Sequence, residues 1–428
     1  MKILHVADYL PGLHDRAGGA EFATLRTIEE QVAAGLEVEV ATLRVHSPPG
    51  KVSYQRHHEM RNLDRFAPKL AYAVKQLYFP FDSLAASDLA RAIKFSRPDV
   101  VHYHNLHFAG LSVVSEARAA GIPSVWSVYD YWLFCPSFML LTNRNELCAQ
   151  GHSHRCVDCI GTRRLRALKP LKRLFFHTRN AAFRQPASAV DRLIVLSDAS
   201  RDLLIRHGIA ADRIHVIPQY IWKEAAAAKE HILPTRGRLV YVGWVEQRKG
   251  LHVIIQALGL IAKEYPEVHL EVLGLPANSE YQTYVEQLAG RTGIGDRVHF
   301  RGKLARNELM GELRRAFLVT VPEQWENMSP VILTEAMAAG ACVLASRVGG
   351  IPQFVEEYRS GLLAQRDNPA EFAERIRWAM AHPAEVGTMA GAARERATRL
   401  FNPENITTSM IDLYRSLIDI QQKGTALD

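Results

Sequence analysis

Short apolar runs recur along the chain, each closed by glycine, proline or a polar turn. In the first half they fall at Ile3–Ala7, Glu37–Leu43, Val100–Val101, Val125–Val128, Leu193–Ser197 and Ile214–Ile217. In the second they fall at Leu239–Val242, His269–Gly274, Val298–Phe300, Phe317–Val321 and Cys342–Ala345. Most are followed by stretches with helical spacing, such as the one opened by Gly18-Gly19-Ala20-Glu21 and closed by Gly35. Apolar strands alternating with amphipathic helices predict α/β architecture, in which a parallel sheet is covered on both faces. Two such series, parted by the polar, alanine-rich Trp222–Pro234, predict two domains, residues 1–221 and 222–400. A last helix, Asn405–Gln421, follows Phe401-Asn402-Pro403 and closes the chain within 401–428. The basic, aromatic stretch Tyr54–Leu89 predicts helices without fixed bounds.

The stretch from Val321 to Leu363 carries the densest chemistry. An apolar strand ends at Pro322, a polar loop runs through Glu323-Gln324-Trp325-Glu326-Asn327-Met328, and Ser329-Pro330 supplies an N-cap and a proline for the first helical position. Gly340 stops the helix. Glu335 then falls in its early turns, near the positive end of the helix dipole, where a phosphate or a ribose hydroxyl is also held. After the next strand, Gly349-Gly350 lacks side chains and lets backbone approach a ligand. Near the N-terminus, the strand, Gly18-Gly19 turn and helix opening form a second anion site of the same kind. The Gly18-Gly19 turn has the spacing of neither a dinucleotide fingerprint nor a P-loop.

Length and composition narrow the class. At 428 residues the chain is long for one core, and 48% hydrophobic with 23% charged residues is that of a soluble globular protein. The opening apolar run is too short for a signal peptide and no stretch reaches a membrane span, which predicts a cytoplasmic protein. Charge is unevenly shared. Residues 1–224 hold 29 Lys+Arg against 21 Asp+Glu, a balance of +8, while the remainder, 23 against 24, is −1. The excess suits an anionic lipid surface or a phosphate-bearing partner.

A loop glutamate, a helix glutamate and a following Gly-Gly turn resemble the donor-site signature of the retaining glycosyltransferases of family 4. That resemblance implies a GT-B fold, with two Rossmann-like parallel-sheet domains facing a cleft and the C-terminal helix of 401–428 crossing back onto the first domain. It implies a nucleotide-diphosphate sugar as donor, with a lipid-linked or saccharide acceptor. It assigns Gly18 and Gly19 to the diphosphate, Lys249 with Arg248 to the same group, Glu335 to the ribose, Glu326 to the sugar hydroxyls, and Gly349-Gly350 to close backbone. On the acceptor side it places His102, His104, residue 129 and Asp130. The chain departs from the family pattern at three points. Eight residues separate Glu326 from Glu335 where the family has seven, so that Asn327 is the alternative occupant of the first position. Trp244 stands where the family has an arginine, and Tyr129 where it has a histidine. A tyrosine does not titrate near neutrality, which weakens acid/base work at 129.

With no DxD-like metal motif before the donor site, the departing diphosphate is expected to be neutralised by protein cations and helix dipoles, with no cofactor needed for catalysis. Cys135, Cys148, Cys156 and Cys159 are spaced compatibly with a structural zinc, unligated thiols being the alternative. Between Ile160 and Val190 there is no acidic residue, while Arg163, Arg164, Arg166, Lys169, Lys172, Arg173, Arg179 and Arg184 stand among leucines and phenylalanines. A helix of that content suits an anionic membrane surface, or a domain face with its charges in water. No nucleic-acid recognition motif accompanies the charge. Three functions follow: a hexosyltransferase of polysaccharide or glycolipid synthesis, a non-catalytic GT-B-shaped scaffold in which the three departures mark lost activity, or an enzyme of the same fold doing sugar-nucleotide epimerisation or phosphorolysis.

Overall fold

The apolar runs become parallel strands. The computed structural model describes residues 1–14, 18–44, 54–63, 81–149, 151, 156–159, 173–174, 183, 187–221 and 233–425. Its chain divides into two units, Met1–Tyr220 with Pro403–Asp428, and Ile221–Asn402. No helix among the described residues is long and apolar enough to cross a membrane.

In the first unit seven strands form one parallel sheet: β1 (Lys2–Ala7), β2 (Glu37–Leu43), β3 (Arg56–Met60), β4 (Val100–Tyr103), β5 (Ser124–Ser127), β6 (Arg192–Val195) and β7 (Ile214–Val216). Their order is β3-β2-β1-β4-β5-β6-β7. The order reverses between β1 and β4, which pair in register from Ile3 with Val100 to Val6 with Tyr103. Such a reversal leaves a crevice outside the carboxyl ends of the two strands, because their connections run to opposite faces of the sheet. One core cluster joins Ile3, Val100, Val125 and Ile194 to Met410, Tyr414 and Leu417 of the final helix, Pro403–Thr425. That helix is therefore part of this unit although it follows the other in sequence.

The second unit holds six parallel strands: β8 (Thr235–Val242), β9 (His269–Leu273), β10 (Val298–Phe300), β11 (Ala316–Val321), β12 (Val343–Ser346) and β13 (Leu362–Ala364). The order β10-β9-β8-β11-β12-β13 reverses between β8 and β11. Successive side chains of a strand point to opposite faces. Accordingly Leu239, Tyr241, Leu318 and Leu344 join one core cluster, while Val240, Val319, Val343 and Ala345 join another. Both faces are covered by helices, so these strands read as nearly unbroken apolar runs.

Several local expectations shift. The helix after Pro330 spans Val331–Ala338 with Pro330 itself as N-cap and no side-chain cap, so Ser329 does not cap it. Gly340 ends it with φ +77°, a left-handed conformation that glycine adopts without strain. β3 lies in the stretch expected to be helical. Its sequence, Arg56-His57-His58-Glu59-Met60, lacks apolar alternation because β3 is an edge strand bonded to β2 alone. Most of the basic stretch Arg163–Arg184, with all its cations but Arg173, lies outside the described residues, as does most of the expected linker.

Candidate functional site

In the second unit the loops leaving β8 and β11 meet where the strand order reverses. After β8 the chain makes one 3-10 turn, Gln247–Lys249, and enters the helix Leu251–Ile261 through Gly250. Gly250 has φ +75°, and a Cβ there would stand 1.8 Å from the carbonyl oxygen of Pro322. The Gln324 amide donates to the Arg248 carbonyl at 2.8 Å. This tight seam brings Lys249 Nζ to Glu323 Oε1 at 2.5 Å. The Trp325 indole N–H donates to the other carboxylate oxygen at 2.6 Å, so Glu323, itself buried, is held from two sides and fixes the ammonium. Arg248 pairs with Glu246 at 2.6 Å and lies over the Trp325 ring. Trp244 is 46% exposed nearby in sequence.

The glycine pair sits against the same loop. Gly350 donates its amide to the Asn327 carbonyl at 2.9 Å, and a Cβ on Gly349, at φ +56°, would stand 2.2 Å from that oxygen. Asn327 Oδ1 accepts from the Ser329 amide at 3.2 Å. Asn327 is buried and Glu326 partly exposed. Glu335 is buried and its carboxylate is met by Arg306 at 2.6 Å. The structure thus collects Lys249, Arg248, Glu326, Asn327 and Gly349-Gly350 on the loops at the carboxyl edge of this sheet, with Glu335 on the helix that follows. It adds two residues that sequence reasoning missed. Glu323 shares the loop with Glu326 and could have been weighed there, whereas Arg306 opens a separate helix and carries no local signal.

In the first unit the site again surrounds a reversal of strand order. Asp8, buried after β1, accepts the amides of Phe108 and Ala109 at 2.8 and 2.7 Å, and burial pushes its carboxyl up to about 7. The amide of Gly18 donates to Glu21 Oε2 at 2.8 Å, and Asn105 donates to the other oxygen of Glu21 at 3.1 Å. Gly18 caps the helix Gly19–Ala33. Asp130 lies 3.1 Å from His107 Nε2. Burial opposes charge on His107, yet the Asp130 carboxylate holds its pKa above the ordinary value. His107 was missed; it follows β4 in a loop without periodicity.

His102 and His104 are fully buried, as is His5 on β1, and burial lowers the pKa of all three. His5 falls to about 4 from 6.5. A buried group that stays neutral in the fold and charges in the unfolded chain contributes stability above its unfolded pKa, which is lost as pH falls toward the folded pKa. Acidification from pH 6.5 to 4 should therefore destabilise the first unit by on the order of 3 kcal/mol through His5 alone. Urea titrations across that range, compared with a His5→Gln variant, read the effect as a flatter pH profile in the variant.

The cysteines do not gather as a zinc centre requires. Sulfurs around a tetrahedral zinc stand roughly 4 Å apart. Among the described residues, which include all four cysteines, the only group of three or more candidate ligand atoms within 4.8 Å of one another is His5, His102 and His104. Cys135 instead meets Ser137 Oγ at 3.1 Å, and Cys156 meets the Gly151 carbonyl at 3.5 Å. Cys135 and Cys148 nevertheless lie near enough to Cys159 to help raise its thiol pKa, after burial.

Comparison with known proteins decides the family. Residues 223–396 match the glycosyl transferases group 1 pattern, and residues 17–221 match Glycosyltransferase Family 4. The chain belongs to the family 4 glycosyltransferases. Among curated family members, a D-inositol 3-phosphate glycosyltransferase of Corynebacterium urealyticum is 32% identical over 45% of this chain and 46% of its own. One from Corynebacterium kroppenstedtii is 23% identical over 86% of this chain and 78% of its own. The first three such relatives are matched over 46%, 54% and 61% of their lengths, so the chain spans about half of each. Among solved structures, Anabaena HepE in complex with UDP-glucose superimposes with a TM-score of 0.65 at 17% identity, covering 97% of this chain and 100% of HepE. A sucrose-phosphate synthase of Thermosynechococcus elongatus gives 0.67 at 20% identity, covering 98% of this chain and 99% of that one. At these identities the likeness is one of fold, and the fold is GT-B.

Proposed function

We propose that the protein is a retaining glycosyltransferase that moves a hexose from a nucleotide-diphosphate sugar to a lipid-linked or saccharide acceptor. The observation that carries this reading is the Lys249–Glu323 pair at the strand reversal of the second unit, an oriented cation where α/β sheets of this order take anionic ligands. In the reaction, the glycosidic oxygen leaves with the diphosphate as negative charge develops on it. Lys249, aided by Arg248, stabilises that charge, and a fixed ammonium does so without reorganisation. Gly349-Gly350 and Gly18-Gly19 admit the donor close to backbone, Glu335 engages the ribose, and Glu326 or Asn327 the sugar hydroxyls. The acceptor hydroxyl attacks the face from which the diphosphate departs, and a phosphate oxygen of the leaving group takes its proton. This scheme asks for positioning and charge stabilisation more than for a side-chain base, and so tolerates Tyr129. It uses protein cations in place of a divalent metal at the diphosphate.

UDP-glucose is the first donor to test, since HepE is known as its complex. A ligand that binds only the folded state adds about 2.7 kcal/mol at a hundredfold excess over its Kd. A thermal-shift screen of UDP-, GDP-, ADP- and dTDP-sugars is expected to single out one nucleotide, followed by release of its nucleoside diphosphate. No shift with any of them would overturn the reading. Binding without release would favour a scaffold, the alternative to which the exposed Trp244 points. The basic stretch Arg163–Arg184 supports an acceptor that is met at an anionic membrane surface on the cytoplasmic side.

A further inference from the structure

Seven side chains of the first unit form one run of hydrogen bonds: Tyr129, His104, His5, Gln31, Tyr414, His102 and Ser127. Six of them are buried, and Tyr129, at the carboxyl end of β5, is partly exposed. The direction of the run follows from one residue. Gln31 places its amide nitrogen 2.9 Å from the Tyr414 hydroxyl and 3.7 Å from Met410 Sδ, and its carbonyl oxygen 3.0 Å from His5 Nε2. A thioether sulfur accepts hydrogen bonds and cannot donate, so the nitrogen end of the amide must face Met410.

The rest is then determined. The Gln31 carbonyl can only accept, hence His5 carries its proton on Nε2. A neutral imidazole has a single N–H, so His5 Nδ1 is an acceptor, and His104 Nε2, 2.8 Å away, donates to it. His104 Nδ1 in turn accepts the Tyr129 hydroxyl proton at 3.2 Å. On the other arm Gln31 donates to the Tyr414 oxygen, and Tyr414 gives its own proton to His102 Nδ1 at 2.6 Å. His102 Nε2–H donates to Ser127 Oγ at 2.8 Å, where the run ends; Thr24, Ser127 and Thr27 surround the Tyr129 phenol at its other end. Every donor points the same way along the run, which lets each bond polarise the next. Burial keeps all three histidines neutral, as the scheme requires.

We propose that Gln31 and Tyr414 are positioning residues for the acceptor side of the site: through this one-way run of hydrogen bonds they lock the Tyr129 phenol inward and so fix the backbone that presents Asp130. The inference rests on the reading of Asp130 as acceptor-side, but the run is testable without it. In wild-type protein, nitrogen-15 NMR at pH 7 should find His5, His102 and His104 all as neutral Nε2–H tautomers. Tyr414→Phe should let His102 sample the Nδ1–H form, and Tyr129→Phe should do so for His104. With UDP-glucose as donor and water as acceptor, Tyr414→Phe should lower UDP release about tenfold while the Kd for UDP is unchanged. Should Tyr414→Phe fail to fold, Tyr129→Phe carries both readouts. A wild-type Nδ1–H tautomer at any of the three, uptake of equimolar zinc by them, or unchanged UDP release would overturn the proposal. Intact tautomers in a protein that releases no nucleoside diphosphate from any sugar nucleotide would overturn the functional reading and leave the hydrogen-bonded run standing.

Discussion

Replacing Lys249 with alanine is expected to lower sugar transfer by two to three orders of magnitude, about 3 kcal/mol of transition-state stabilisation. It should also destabilise the second unit, because Glu323 is buried and loses its only described cation, and an uncompensated buried charge costs roughly 3 kcal/mol or more. The two effects are separable. A Lys249→Met, Glu323→Gln double variant removes both charges, so it should regain stability but not turnover. Denaturant titration and the rate of nucleoside diphosphate release, measured on both proteins, read the two quantities independently. Full activity in folded Lys249→Ala would remove Lys249 from the donor site.

Gly250→Ala should be the most damaging single methyl in the second unit. The left-handed backbone at φ +75° costs an alanine about 1 kcal/mol, and a Cβ 1.8 Å from the Pro322 carbonyl forces the two loops of the seam apart. Overpacking of this kind adds roughly 1–3 kcal/mol, for a sum near 3. Gly293→Ala is the control, since its φ is +74° and nothing lies within 4 Å of the added carbon. Its cost should be the backbone share alone, about 1 kcal/mol. If both variants melt together by urea titration, the close approach at Gly250 carries no weight. If Gly250→Ala is the weaker, the Lys249–Glu323 pair is expected to be lost with it, and nucleotide affinity should fall in parallel.

The parts of this fold that the sequence makes legible are those built from burial. Strands covered on both faces leave apolar runs, and helices between them leave a stripe, so β8, β11 and β12 stand out by composition alone. β3 does not, because an edge strand with one neighbour has no need of an apolar face. Glycines with positive φ are legible as turns, but the reason for Gly250 is a carbonyl contributed by another loop. The same divide runs through the site. Lys249 and Glu335 can be picked out by motif, whereas their partners Glu323 and Arg306 are chosen by tertiary packing. The cysteine spacing brings Cys135, Cys148 and Cys159 into one neighbourhood without setting their sulfurs at ligand distances from one another. His102 and His104 read as one face of a strand, but nothing local told of His5, Gln31 or Tyr414 beside them.

The final helix has a consequence for how the protein is made. Its Ile406, Met410, Leu413, Tyr414 and Leu417 complete a core whose strands lie near the other end of the chain. Residues 221–402 are contiguous, and a contiguous unit folds as soon as it has emerged from the ribosome. The first unit, although synthesised earlier, keeps Ile3, Val100 and Ile194 uncovered until the helix Pro403–Thr425 has been made. The second unit is therefore finished before the one that was begun first, and a nascent chain halted before Pro403 would present one folded unit and one open to chaperones and proteases.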